Sequence, residues 1–333
     1  MKSDLNNKKV TKMEKKEFRL LKAINDVVNN RTLDEASQNV INAGVKEMRK
    51  AGQSYSGQIV LPMEFRGDDI LAGTATDGKE AIATDTLNIL EPLRNSLVLT
   101  GAGATYISGL VGDVAIPVYS GSNVGWEGEV DTASNGKGTF SEIKLTPHRL
   151  TAYVDISKQF IIQDSVGAEN MLKNDIVRAL SEKLESTILG AGKDTNQPTG
   201  LLNGVTADTA DVTYKDIVTM ETTLEAANET GNFYFIVSPS AKAVLKTTKR
   251  TNETFLMQDN EIDGIPVLST NSVASKGVLV GNFADYVIGQ WGGIDLTVDP
   301  YTQAANGKVR LVINAYFDGA KRRNGAIVGK ILK

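Results

Sequence analysis

Few side chains in this chain of 333 residues are of a type and spacing that could make or break bonds. There is one histidine, His148, and no cysteine. A lone imidazole excludes a metal site built on a histidine pair, and the missing thiols exclude disulfides and thiolate chemistry. His148 stands between Pro147 and Arg149 at the start of an apolar run. That is the setting of a structural histidine, with a proton-linked contact as the alternative. Serines are plentiful, but no Gly-x-Ser-x-Gly elbow joins a strand to a helix. Gly101-Ala-Gly103 lacks the spacing of either glycine fingerprint, and Gly190-Ala-Gly-Lys193 is followed by Asp194, where a phosphate loop needs Ser or Thr. The second string also closes a helix, the end whose dipole repels phosphate. Glu127, Glu129 and Asp131 cluster in a glycine-rich stretch and read as a solvated tip rather than a cation site. The chain therefore reads as a non-enzyme without a cofactor.

The elements that would carry these residues are clearer than the residues themselves. A polar, Gly-rich excursion from Ser120 to Thr139 interrupts two apolar strand-like runs and cannot bury a core of its own. A connection this long is usually functional or disordered, and an arm that packs on a neighbouring molecule is a third possibility. Two alternating segments follow, Ile143 to Leu145 and Leu150 to Ile156, split by Thr146-Pro147-His148-Arg149. After Asp164 and Ser165, either able to cap, the spacing of Leu172, Ile176, Leu180, Leu184 and Ile188 predicts a helix over 166–189 buried on one face. Gly190 and Gly192 end it.

Before this stretch, Phe18 to Val28 has an amphipathic helical pattern. A second helix is predicted from Thr32, with Glu35 three residues on as a capping box, and Ala51-Gly52 closes it. The pair reads as a packed helical hairpin or an interaction segment. Residues 51–85 read as an extended arm with few contacts of its own. After the long helix, Asp216 to Ala227 is helical by pattern and Phe233 to Val237 is a strand buried on both faces. Ser238-Pro239 starts another helix. Strands are predicted at 264–268, 277–280 and 286–288, and Val309, Leu311 and Ile313 alternate against Arg310 and Asn314 in a last long strand.

Composition bounds the class. With 41% apolar residues there is material for a sizeable core, and no run of ~18 apolar residues marks a membrane span. The basic start is not followed by an apolar signal region. Charge is unevenly spread: residues 1–50 hold 12 Lys+Arg against 7 Asp+Glu, and the remainder holds 24 against 33. A nucleic-acid reader concentrates basic charge on its folded body, and this body is acidic.

In order, Trp126-Glu127-Gly128-Glu129, the run Phe140-Ser-Glu-Ile-Lys-Leu-Thr-Pro-His-Arg-Leu150, the strand Val154-Asp-Ile-Ser157, a long helix and the exit Gln197-Pro-Thr-Gly-Leu201 follow one another over about ninety residues. That series resembles tailed-bacteriophage major capsid proteins of the Hong Kong ninety-seven type. So do Ser238-Pro239, the strand Gly264-Ile-Pro-Val and the segment Gly281-Asn-Phe-Ala-Asp-Tyr-Val-Ile288. The resemblance covers about 90–333 and is weakest over the first 85 residues.

The resemblance implies an α+β fold: a peripheral domain with spine helix and long strands, an axial α/β domain, an extended loop and an N-terminal arm. The boundaries it implies are 1–50 for a basic helical extension, 51–89 for the arm, 90–116 for the first part of the peripheral domain and 117–146 for the extended loop. Residues 147–202 carry the spine helix, 203–305 the axial domain and 306–333 the return to the peripheral domain. The implied function is a capsid subunit of a tailed phage or prophage, self-associating as pentamers and hexamers into an icosahedral shell around double-stranded DNA held without sequence preference. The implied partners are a portal and a scaffold or maturation protease, with no membrane. A nanocompartment shell around protein cargo is the alternative within the fold, and a soluble α+β hydrolase or binding module the alternative outside it. Candidate inter-subunit contacts are Tyr55, Phe65, Trp126, Glu127, Glu129, Lys137 and Phe140, since aromatics in buried pockets dominate interface energy.

Some relatives join Lys to Asn covalently with a glutamate as base. Lys137 and Asn306 lie near the lysine and asparagine positions, and a gapless count puts Asn314 at the base. A carboxamide cannot take the proton a carboxylate takes, so the bond is not expected here.

Overall fold

The computed structural model describes residues 18–62, 93, 97–119, 124, 126, 132, 135–163, 166–250 and 254–333, with side chains from 171 onward in the helix that starts at 166. Two long strands form its centre. β10 (Tyr286–Asp299) and β11 (Lys308–Lys321) pair antiparallel from Tyr286 opposite Lys321 to Asp299 opposite Arg310. At about 3.3 Å per residue, 14 residues span roughly 45 Å. β5 (His148–Ser157) adds to the far side of β11 over ten consecutive pairs without a register shift. On the other edge of β10 lie β1 (Ile59–Leu61), antiparallel, and β2 (Thr105–Leu110), parallel.

Val309, Leu311, Ile313, Ala315 and Phe317 all point into one core, as their alternation with Arg310 and Asn314 requires. The spine helix α5 (Val166–Ile188) closes that core with Leu172, Ile176, Leu180, Leu184 and Ile188, all buried. Its 23 residues extend about 35 Å. The exit glycines act by size. Gly190 is not left-handed. A Cβ on Gly200 would stand 2.2 Å from the Gly190 carbonyl oxygen, so the 200–202 segment can fold back on the helix end only without one. There Leu201 N donates to Ile188 O at 2.7 Å and Leu202 N to Gly190 O at 3.0 Å, serving carbonyls the helix leaves over.

The first two helices, α1 (Leu20–Val28) and α2 (Glu35–Lys50), share this core through Leu20, Leu21, Ile24, Val40, Ile41, Val45 and Met48. They are packed as layers of the main body. α2 also starts three residues later than expected. Asp34 is its cap and accepts from Ser37 N at 3.0 Å, while Lys22 pairs with the same carboxylate. Glu35 is then the first helical residue and cannot reach back as a capping-box partner. The segment read as a free arm is likewise part of the sheet at β1, whose three side chains are all buried. Phe65 and the rest of the expected arm, 63–92, lie outside the described residues.

A short helix, α3 (Val98–Gly101), precedes β2, and α4 (Lys158–Gln163) bridges β5 to the spine helix. Neither Asp164 nor Ser165 is among the described residues. The second sheet has the order β12-β9-β6-β8-β7. It contains β6 (Tyr234–Val237), β7 (Glu261–Ile262), β8 (Ile265–Ser269), β9 (Gly277–Gly281) and β12 (Ile327–Ile331). Helices α6 (Tyr214–Ala226) and α7 (Pro239–Thr247) share its own core, with Ile217, Met220, Leu224, Ala241 and Leu245 packed on Phe235, Val237, Val278 and Val280.

β10, within 203–305, belongs to the first sheet, and β12, within 306–333, pairs with β9 in the second. Among the described strands the chain thus crosses between the two sheets three times. β10 also runs eleven residues past the expected strand end at Ile288. A register irregularity between Trp291 and Asp295 accommodates its glycines. Gly292 takes φ +62°, and Gly293 lets Leu61 O come within 2.3 Å of where a Cβ would sit.

Candidate assembly surfaces

The extended loop begins and ends as a separate two-stranded hairpin. β3 (Val114–Tyr119) pairs with β4 (Phe140–Leu145), Val114 opposite Leu145 and Tyr119 opposite Phe140. Toward its far end the hairpin turns apolar groups outward. Phe140 is 75% exposed, Tyr119 is exposed and its ring lies 4.7 Å from that of Phe140, and Val124 and Trp126 are fully exposed. Lys137 is exposed too, and its backbone N–H donates to Asn135 Oδ1 at 3.1 Å. Glu127 and Glu129 lie outside the described residues. Tyr55 stands apart, exposed beyond α2 in the lead to β1. The candidates the structure brings together are therefore Phe140, joined by Tyr119, which the sequence reading did not single out.

The hairpin packs on the body through Leu145, Val114 and Ile116 and is hydrogen-bonded to it at two points among the described residues. Leu145 is fully buried against Val287 and Trp291. Beside it, Thr146 N donates to Asp318 Oδ2 at 2.9 Å, and Asp318 Oδ1 accepts from Gly319 N at 2.8 Å. At the other root the Trp291 indole N–H donates to Gly112 O at 2.6 Å. Burial raises the Asp318 carboxyl above the ordinary carboxylate value, against the two backbone donors and His148, which pull it down. His148 Nε2 lies 3.8 Å from Asp318 Oδ1 and 3.4 Å from Thr146 Oγ1. The lone histidine is thus a neighbour of the hairpin root, a place its sequence context did not reveal.

Beyond the hairpin, the outer face of the main sheet is polar. Arg310 forms a two-pronged ion pair with Asp155, at 2.7 and 2.9 Å, and lies 4.3 Å from the centre of the exposed Tyr153 ring. Next along β11, Asn314 faces Asp295. The expectation of no base rested on a carboxamide, Asn314, at the base position. The strand register supplies a carboxyl that a linear count does not see. In the charge run 321–323, Arg323 pairs with Glu229 at 2.7 Å and with Asp285, and Lys321 is half-buried with its pKa lowered by that burial. Among the described residues no helix is long and apolar enough to cross a membrane.

Comparison with known proteins gives this geometry a context. A major capsid protein of Halomonas phage phiHAP-1 is 28% identical over 337 aligned positions, covering 95% of this chain and 54% of that protein. The chain thus spans about half the length of that curated relative. Among solved structures, the capsid of an empty GTA particle computed with C5 symmetry superposes with a TM-score of 0.57 at 19% identity, covering 72% of this chain and 89% of the other. A chain of Gordonia phage Cozz superposes with a TM-score of 0.55 at 14% identity, covering 71% and 86%. At these identities the structures speak for the fold. Residues 84–330 match the model of the phage capsid family, which is most of the chain and takes in the second sheet, the first sheet apart from β1, the β3–β4 hairpin and the spine helix. The chain belongs to the phage capsid family.

Proposed function

We propose that this chain is the major capsid subunit of a tailed phage or prophage, a structural protein that assembles into an icosahedral shell around double-stranded DNA. The observation that carries the reading is the β3–β4 hairpin, a strand pair outside both sheets that exposes Tyr119, Phe140, Val124 and Trp126. Such groups gain by burial in a neighbour, and a contact between unlike surfaces repeats into rings when its rotation closes. In this reading the loop 117–146 reaches onto an adjacent subunit, and pentamers and hexamers share one body plan. The main sheet with α5 serves as the peripheral domain and the second sheet with α6 and α7 as the axial domain. Each contact can be modest, because many linked contacts multiply avidity. The acidic body suits a container: a basic wall would hold packaged DNA through counterion release. A portal and a scaffold or maturation protease are the partners such a shell requires.

Negative-stain microscopy of the purified full chain is the test. Closed shells, or pentameric and hexameric rings, are the expected result. A chain that stays monomeric at assembly concentrations would overturn the reading. Deleting Ser122 to Gly138 should leave soluble, folded subunits that form no shells.

A further inference from the structure

The root of the projecting hairpin is built differently from the rest of it. Between β3 and β4 the contacts are ordinary strand pairing, which fixes the hairpin's own shape. Its direction relative to the body depends on what holds its two ends. At the 112–114 end the hold is the Trp291 indole on Gly112 O, with the ring buried under Leu145. Gly112 has φ +62°, a conformation that suits a sharp turn there. At the 145–147 end the hold is the Asp318 carboxylate on Thr146 N, followed by Pro147, which offers no N–H. Trp291 and Asp318 come from neighbouring, paired strands of the main sheet, Trp291 at the edge of the register irregularity in β10.

We propose that Asp318 and Trp291 are the positioning residues of the assembly hairpin, a two-point clamp that sets its angle, and that uptake of a proton by Asp318 opens one of the two points. This rests on the hairpin being the inter-subunit arm.

The chemistry follows from the acceptor count. An ionised Asp318 offers an oxygen to each of two backbone donors, Thr146 N–H and Gly319 N–H. A proton taken from solvent turns one of those oxygens into a hydroxyl, a donor facing a donor. The Gly319 bond is local to the same strand turn, so the Thr146 bond is the one free to open. Two titratable groups, His148 and Tyr286, are coupled to this carboxyl, and a third, Lys321, lies near it in sequence. His148, on β5, favours the ionised form when it is itself charged. Tyr286, on β10, is fully buried, its hydroxyl has no hydrogen-bond partner, and the charge of Asp318 pushes it further from ionisation. Lys321, on the same strand, is half-buried and harder to charge than an ordinary lysine. Burial of Asp318 moves the opening to a higher pH than an ordinary carboxylate would give. The indole clamp has no proton to gain and holds at any pH. In acid the hairpin would therefore pivot about Gly112 rather than detach.

Amide hydrogen exchange at Thr146, measured on unassembled full-length subunits from pH 4.5 to 8 and corrected for intrinsic rate, tests this. In the wild type, protection at Thr146 should fall about tenfold or more in acid, the worth of a charge-assisted hydrogen bond, while the amides of β3, β4 and β11 keep theirs. Asp318→Asn should show the low protection at every pH. Asp299→Asn, an exposed carboxylate that also accepts backbone N–H groups, should leave the Thr146 profile unchanged. Trp291→Phe, which keeps an aromatic ring but loses the donor, should loosen the 112–114 end with no new pH dependence. In shell assembly followed by light scattering, Asp318→Asn should assemble more slowly at pH 7.5 and approach wild-type behaviour in acid. Flat Thr146 protection across pH in the wild type would overturn the acid opening. Released Thr146 with an unaltered assembly rate would overturn the positioning role. A wild type that forms no shells would count against the assembly reading, and with it the positioning role, while the exchange profile would still decide the acid opening.

Discussion

Asp295 on β10 stands directly across from Asn314 on β11, and Asn314 Nδ2 donates to Asp295 Oδ2 at 3.4 Å. The carboxyl is 7% exposed, and the remaining oxygens of both side chains, Oδ1 in each case, have no hydrogen-bond partner. A buried, half-satisfied carboxylate is costly, and burial is the main cause of its raised pKa. A carboxyl raised in the folded state binds its proton more tightly there than when unfolded. Its stabilising contribution is full below the unfolded value near 3.8 and is lost as pH rises through the folded value. Asp295→Asn should therefore be more stable than the wild type at pH 8 and should lose part of the stability change between pH 4 and pH 8. Urea midpoints at both pH values measure this; a destabilised variant at pH 8 would show that the charge is compensated in the native state.

The same burial bears on a covalent Lys137–Asn306 bond. Asp295 has the chemistry of a base, but its carboxyl is closed over by its surroundings. Asn306 is exposed and its amide donates to Gln303 Oε1 at 2.7 Å. A lysine ammonium with an ordinary pKa near ~10.4 needs a base within hydrogen-bond reach, and the buried Asp295 does not offer one to solvent. Boiled particles on a denaturing gel should give one band at subunit mass. A ladder of multiples would mean that assembly opens Asp295 or supplies another base.

Glu185 is a second buried carboxylate, and it is satisfied. From the spine helix it accepts from Val98 N at 2.5 Å and Leu99 N at 3.3 Å, and from the Thr270 hydroxyl at 3.3 Å. It ties the start of α3 and the 270 turn to the helix. Glu185→Ala leaves two backbone donors and a hydroxyl without an acceptor and should cost about 2–4 kcal/mol. Glu185→Gln keeps one acceptor oxygen and should cost less. Chemical denaturation of the unassembled subunit distinguishes them.

Sequence alone revealed the elements whose residues repeat with a period. The spine helix, the strand from Val309 and the strand at 234–237 each carry an apolar pattern that only one face or a double-faced burial explains. What it concealed was long-range. The pairing of Gly281 with Ile327 and of Val60 with Asp295 depends on which sheet a strand joins, and local pattern does not encode that. Trp291 was hidden by its glycine neighbours, and Asp318 reads as one more polar residue until Thr146 is seen beside it. The polar hairpin root is legible only in three dimensions, because its partners are 179 and 172 residues apart in the chain.

Phe140 and Tyr119 allow folding to be separated from assembly. They form a cross-strand pair at the outer end of the hairpin, with tilted rings in contact and both side chains exposed. Neither belongs to a buried cluster, and the aromatic pair contact between them is worth about 0.5–1.5 kcal/mol. In a shell the same two rings would meet a neighbour at every copy, and a lysine in place of either would carry a charge into that contact. Tyr119→Lys with Phe140→Lys should therefore leave the urea midpoint nearly unchanged and abolish shells. Lys137→Ala, exposed on the same loop and without an aromatic ring, should have a smaller effect on assembly. Sedimentation of the variants under assembly conditions gives the answer. Shells from the double variant at the wild-type yield would show that the aromatic pair faces solvent in the particle as it does in the free chain.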